Sequence, residues 1–396
     1  MEIQGQTFTG SISTQELERR WREVRERMRE EKIDFLLMQN DNEFNGGYVK
    51  YFTDIAAKGG SPFTVIFPLD DEMTTISHGG KPPGDFGPPA SIMRGVKKRL
   101  TAPYFRSLTY TQTYDAQLAV EAIGNKTDGK IGIVGKSNVS MAFFDYLQKN
   151  LPRATCVDAT DFVDEIKAVK SDEEIKLIRE TAALQDEVIA YAKKIIQPGK
   201  KESEIVADLI HKATYLGSQE QLVMAGSGPV GAPVPIRRRQ FQNRVVQEGD
   251  QFSLLVEVNG PAGMYTEIGR TFFLGRVPSE LSDANELCKE AQEVTLKRLK
   301  PGANPGELLR ANNDFLVKKG FFPETRLYAH GQGYDLVERP ALREDEPMKL
   351  KARMNITVHP VAATSKLWVW VCDNYLITDS GVSECLHKTP KEILPV

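Results

Sequence analysis

Residues 195–206 read IIQPGKKESEIV, and residues 298–309 read RLKPGANPGELL. In both, an acidic residue and then Ile or Leu follow the proline by six and seven positions, and Pro198 and Pro301 lie 103 residues apart. Each stretch closes one helical pattern and opens another. Upstream of the first, DEEIKLIRETAALQDEVIAYAKKII (172–196) has helical apolar spacing, with Ser171 as its N-cap and Pro198-Gly199 as its stop. Downstream, 202–216 is helical and QLVMAG (221–226) is a strand. The second copy follows the same plan: a helix over 279–299, the Pro301-Gly302 turn, and a helix from about Glu307. A repeat of helix, Pro-Gly turn, helix and strands predicts a domain with pseudo-two-fold symmetry. Two copies are too few for a solenoid. Symmetric halves commonly place a pocket on their shared axis, which is where chemistry is expected.

Ahead of residue 165 the texture differs. Residues 14–31 form an amphipathic helical pattern with Leu17, Trp21, Val24 and Met28 on one face and Ser13 or Thr14 as the N-cap. Short apolar runs follow, at FLLMQ (35–39), FTVIF (63–67), MTTIS (73–77) and KIGIV (130–134), and then the helical SMAFFDYLQKNL (140–151). That alternation predicts an α/β layer of one domain. The Pro- and Gly-rich stretch 79–104 reads as a surface loop. The expected organisation is therefore an α/β domain over 1–164 and the pseudo-symmetric domain over 165–396. The 396 residues carry 51 Lys+Arg against 54 Asp+Glu, a net charge of −3, which leaves no polyanion footprint and argues against nucleic acid as a partner. No apolar run is long enough to span a membrane. The first residues lack a charged-then-apolar signal pattern, and the four cysteines contain no C-x-x-C pair. A cytoplasmic chain with no membrane partner is expected.

Few residues are candidates for chemistry. There are five histidines, of which His330 lies in YAHGQGYDLVERP and His359 ends the β-like run MNITVH. Glu267 lies in the strand GMYTEIGRTFFLG, whose alternation puts Tyr265, Glu267 and Gly269 on one face. Cys372 and Asp373 are expected to end a strand in LWVWVCDNYLIT. A carboxylate inside an apolar strand is costly to bury and needs partners.

The ordered series KAVKSDEEIKLIRETAAL, PGKKESEI, AGSGP, VVQEGD, MYTEIGRTFFLG, HGQG, ERP and DNYLITDSG, over residues 165–395, resembles the pita-bread catalytic domain shared by methionine aminopeptidases, prolidases and creatinase. The preceding 160 residues, with YVKYFTDI (48–55), resemble the amino-terminal domain of the prolidase and creatinase branch. The resemblance implies a site that, in the metallopeptidases, holds two divalent metals with two aspartates, one histidine and two glutamates. Carried onto this chain, the second aspartate position is Glu267 and the first is Glu257 or Val256. The histidine is His330. The glutamates become His359 and Cys372, with Asp373 beside the latter.

With so many carboxylates replaced, a bridged dinuclear centre is not expected. The resemblance to creatinase, which works without metal, implies a metal-independent, cofactor-free enzyme with His330, Glu267 and His359 as acid–base residues. The expected reaction is hydrolysis of a C–N bond, or a related lyase or decarboxylase step, on a small carboxylate-bearing substrate. Arg237, Arg238 and Arg239 suggest an anion anchor, since a guanidinium fork matches a carboxylate, although charge runs are usually solvated. Tyr265, Tyr334, Glu338, Cys372 and Asp373 are further substrate-binding candidates. By resemblance to creatinase-type homodimers, Lys58 would reach into a partner's pocket. Two rival readings stand beside this one: a single-metal hydrolase using Glu267, His330, His359 and Cys372, whose mixed ligation suits zinc, and an inactive binding protein.

Overall fold

The computed structural model describes residues 12–45, 47–57, 60–79, 92–103, 105–124, 128–381 and 383–396. The chain divides into two compact units, one ending at Lys167 and the other spanning Ala168–Val396. In the first, α1 (Thr14–Glu31) starts where Ser13 accepts a hydrogen bond from the Glu16 N–H, and it buries the Leu17, Trp21, Val24 and Met28 face. There follow β1 (Phe35–Asn40), α2 (Tyr48–Thr53), β2 (Phe63–Pro68), β3 (Met73–His78), β4 (Val96–Ala102), α3 (Tyr114–Ile123), β5 (Lys130–Val134), α4 (Met141–Asn150), β6 (Thr155–Asp158) and α5 (Thr160–Ala168). The strands form one sheet in the order β4-β3-β2-β1-β5-β6. Strand β4 corrects the reading of 79–104 as a loop, because Val96–Ala102 pairs in parallel with β3. Its exposed Lys97, Lys98 and Arg99 mark a charged edge strand, which lacks the apolar alternation that betrays most strands. Residues 80–91 of that stretch lie outside the described residues.

The second unit contains α6 (Asp172–Ile195), α7 (Glu202–Tyr215), β7 (Gln221–Pro229), β8 (Asp250–Asn259), β9 (Tyr265–Phe273), α8 (Ser279–Leu296), α9 (Pro305–Lys318), β10 (Ala329–Gly331), β11 (Glu338–Ala341), β12 (Asn355–Val358), β13 (Val361–Ala363), β14 (Trp368–Trp370), β15 (Asp373–Ile377), β16 (Ser383–Cys385) and β17 (Leu394–Pro395). The start of α6 is fixed by a reciprocal capping box between Ser171 and Glu174. The repeat is structural. Gly199 and Gly302, at φ +91° and +84°, occupy the left-handed region that glycine adopts without a steric penalty. The amide of each donates to a carbonyl later in its own half, that of Val246 at 2.9 Å and that of Leu350 at 2.8 Å. Each half also has its own core. Val188, Leu209, Val256, Ile268 and Phe272 fill one, and Leu299, Leu308, Ile356, Val358 and Ile377 fill the other.

The halves contribute separate sheets, ordered β17-β9-β8-β7 and β11-β10-β12-β15-β16. A reciprocal backbone pair splices them. Gly269 and Cys372 exchange backbone hydrogen bonds of 3.1 and 3.2 Å. Beside them the buried Arg270 donates to the Gly269 and Cys372 carbonyls at 2.8 Å, to Asp373 Oδ1 at 2.7 Å, and to the carbonyls of Thr389 and Pro390. Every N–H of that guanidinium has an acceptor. The expected single strand LWVWVCDNYLIT is thus two strands of different sheets, with Cys372 at the junction.

Burial alone would raise Asp373, but Arg270, aided by His387 and Lys391, brings it down to about 2. A carboxylate depressed below its unfolded value contributes stability that is full above about pH 4 and lost as pH falls towards 2. Arg270→Leu should therefore cost about 3–5 kcal/mol in urea unfolding at pH 7, by stranding a buried charge. Adding Asp373→Leu should recover part of that loss. An Arg270→Leu protein of unchanged stability would show that the splice does not depend on the pair.

Candidate metal centre

The splice brings β9 of one half against β12 and β15 of the other, and three side chains meet there. Glu267 comes from the middle of β9, His330 from β10, and His359 from the residue after β12. Each is about 5% exposed or less. One potential ligand atom from each lies within 4.8 Å of the other two. His330 Nδ1 sits 3.0 Å from the Gly331 carbonyl oxygen, which can only accept, so Nδ1 carries the proton. The Nε2 lone pair is then turned towards Glu267 Oε2, 3.7 Å away. His359 stands edge-on to His330, with ring centroids 5.5 Å apart. Neither of its ring nitrogens has a hydrogen-bond partner among the described residues.

Burial dominates the electrostatics. It pushes Glu267 up to about 7, against the Cys372 thiol, Arg326 and the Thr357 hydroxyl, which pull the other way. It brings His330 down to about 4, and with help from His330 and Arg326 it holds His359 well below the usual imidazole range. Both rings are therefore neutral at pH 7, and the close Glu267–His330 contact is not an ion pair. Neutral imidazoles with free lone pairs beside one carboxyl are a metal-binding donor set, of the kind that takes zinc or iron(II) and leaves coordination positions open. The two unpartnered nitrogens of His359 are otherwise an unexplained cost in a buried site.

Glu257 faces Glu267 directly across the β8–β9 pair. Val256 belongs to the helix-packed core instead, so the glutamate, not the valine, stands at the site. Burial, then Glu267, raises Glu257 well above the usual carboxylate range, opposed by Gln332. Gln332 Nε2 donates to Glu257 Oε1 at 2.8 Å, and its Oε1 accepts from Asn374 Nδ2 at 2.9 Å. Asn374 also donates to Asn355 Oδ1 at 3.0 Å and accepts the Glu267 amide at 2.7 Å. This chain of carboxamides ties both glutamates to the second half. Sequence reading missed Gln332, Asn355 and Asn374; the available signal was an amide within or beside each quoted motif, in otherwise apolar strands.

Several expected site residues are engaged elsewhere. Cys372 lies against Thr357 Oγ1 at 3.4 Å and the Glu267 carbonyl at 3.6 Å. Burial and Glu267 raise its thiol well above the ordinary range. Cys372 is not part of the converging group. Asp373 is consumed by Arg270. Glu338 Oε2 accepts from the buried Lys170 at 2.6 Å, while its Oε1 accepts the amides of Tyr334 and Asp335. Both carboxylates are held in buried ion pairs. Tyr265 and Tyr334 are buried, and the Tyr265 amide donates to the Gly333 carbonyl. Arg237, Arg238 and Arg239 lie exposed on the turn between β7 and β8, as a solvated basic turn would. Lys58 lies outside the described residues. Among the described residues no helix is long and apolar enough to cross a membrane.

Over residues 176–379, just over half of the chain, the sequence matches Metallopeptidase family M24. The chain is 26% identical over 392 residues to the uncharacterized hydrolase/peptidase y4tL of Sinorhizobium fredii, covering 95% of each. It is 26% identical over 241 residues to the probable dipeptidase PepE of Mycobacterium tuberculosis, covering 58% of this chain and 62% of that protein. Its fold is similar to that of the X-Pro aminopeptidase of Thermotoga maritima, with a TM-score of 0.79 and 18% identity over 95% of this chain and 99% of that one. The fold is the pita-bread arrangement preceded by an α/β amino-terminal domain. These findings overturn the expectation of a metal-independent, cofactor-free centre. The matching family is one of metallopeptidases, and the residues expected to act without metal form a donor set that fits one. They also point to peptide hydrolysis rather than to a lyase or decarboxylase step. The chain belongs to metallopeptidase family M24.

Proposed function

We propose that the chain is a peptidase acting on short peptides with a single divalent transition metal held by Glu267, His330 and His359. The observation that carries this reading is the convergence of three buried ligand atoms within 4.8 Å, two of the side chains being neutral imidazoles and one of these having both nitrogens unpartnered. When bound, such a cation polarises a carbonyl and acidifies water. The remaining work falls to this chain's own groups. Glu257, opposite Glu267 but outside the ligand group, acts as its carboxylate, the form a neighbouring cation favours, receiving a proton from the attacking water and returning it to the departing amine. Gln332 fixes Glu257 through Oε1 and leaves Oε2 for that proton. Asn374 holds the Glu267 backbone, and the Gly331 carbonyl keeps His330 in the tautomer whose Nε2 can bind. The buried surroundings strengthen each of these interactions by excluding water.

Zinc added to chelator-treated protein should raise Tm, by the equivalent of about 2.7 kcal/mol at a hundredfold excess over Kd. In His359→Leu that rise should vanish, while the chelated variant should be at least as stable as chelated wild type, because an unsatisfied buried imidazole is gone. Absence of a zinc effect on wild type would remove the metal from the account. With dipeptide substrates, Glu257→Gln should lower kcat by about 10²–10⁴-fold at unchanged metal content. Loss of metal in that variant would make Glu257 a ligand, and an unchanged kcat would end its acid–base role.

A further inference from the structure

Along β14 and the residues after it, side chains alternate between two environments. Val369 and Val371 pack with Leu281 and Cys288 of α8. Trp368, Trp370 and Cys372 face the other way and cluster with Leu255 and Val361. Leu255 precedes Glu257 by two residues on the same face of β8, and Gly269 follows Glu267 by two on β9. Trp370 occupies the space that Gly269 leaves: a Cβ there would stand 2.4 Å from Trp370 Cζ2. The indole stands edge-on to the His359 ring, with centroids 6.3 Å apart, and packs against Trp368 at 5.4 Å. Trp370 therefore shares one wall with the metal ligands.

Its Nε1–H is the unexplained feature. Trp370 is 1% exposed, and that N–H finds no acceptor among the described residues. Trp21, by contrast, donates its Nε1–H to the Phe52 carbonyl at 2.8 Å. A buried indole N–H usually has a partner, and leaving it unpaired is a cost that a phenylalanine at 370 would avoid. We infer that Trp370 forms a substrate subsite beside the metal centre, in which its Nε1–H donates to a carbonyl or carboxylate oxygen of an apolar acyl-amino-acid unit. Leu255 and Val361, with the partly buried Met224 and Ile236, pack in the same cluster and make the surroundings of Trp370 apolar, which suits an aliphatic side chain. An anionic side chain would lose its hydration there beside Glu257 and Glu267. This inference rests on the proposed peptidase reading for its place in a reaction, but its test does not require turnover.

N-acetyl-L-leucine supplies the acceptor oxygens and the aliphatic side chain, and its integrity at the end of each titration is checked by chromatography. Calorimetric titration of the full chain, with zinc and with chelator, should show binding that weakens about tenfold or more in Trp370→Phe at unchanged Tm. N-acetyl-L-aspartate should bind wild type correspondingly less well. The chain has three tryptophans, so the indole N–H region of a ¹⁵N–¹H spectrum provides a second reading on wild type should the variant fail to fold. One of its signals should move downfield at saturation. No binding, equal affinity in Trp370→Phe, or unmoved indole signals would overturn the subsite. Trp370-dependent binding without any peptide hydrolysis would instead overturn the peptidase reading alone.

Discussion

The site depends on the splice between the half-sheets. The reciprocal hydrogen bonds of Gly269 and Cys372, and the Arg270–Asp373 pair beside them, join a strand of one half to a strand of the other. Each half could bury its own core without this junction, since each has a separate apolar cluster. What neither half could do alone is assemble Glu267 with His330 and His359. The ligands come from two sheets, so the geometry of the centre is set by the backbone pairing and the saturated guanidinium that join them rather than by the ligands themselves. Glycine at 269 leaves room for the Trp370 ring.

Burial explains the character of the centre. Two glutamates facing each other across β8 and β9, with two imidazoles above them, cannot all be charged in a water-poor cavity. Glu267 rises to about 7 and His330 falls to about 4, so without a cation the group is close to neutral. A divalent cation inverts that balance by favouring the carboxylate and using the imidazole lone pairs. The same burial keeps the Cys372 thiol protonated and hands it to Thr357 as a neighbour. Two carboxylates beside two neutral imidazoles leave little negative charge, which suits one cation better than two.

Much of this was legible beforehand, for identifiable reasons. The Pro-Gly repeats announced the pseudo-symmetric halves because left-handed glycines and helix stops are local signals, and Ser171 and Ser13 marked helix starts for the same reason. Glu267, His330 and His359 stood out because ionisable groups in apolar strands are expensive. The charged edge strand β4 was not legible, since its pairing is tertiary. Nor were the break at Cys372 and the carboxamide chain of Gln332, Asn355 and Asn374, whose partners lie in other strands. The expectation of metal-free chemistry failed because it counted lost carboxylates without knowing that His359 would present two unpartnered nitrogens to Glu267 and His330. The pairing of Asp373 with Arg270 and of Glu338 with Lys170 was not legible either, because nothing local showed it.

On the proposed reading, the splice builds a centre for one metal with nitrogen and oxygen ligands. X-ray absorption at the metal edge of zinc-loaded protein tests it most directly. The expected spectrum has a first shell of nitrogen and oxygen at about 2.0–2.2 Å, with outer-shell scattering from two imidazoles. A sulfur shell at about 2.3 Å would bring Cys372 into the ligand set. A second metal at about 3.5–4 Å would make the centre dinuclear. Either result would contradict the account.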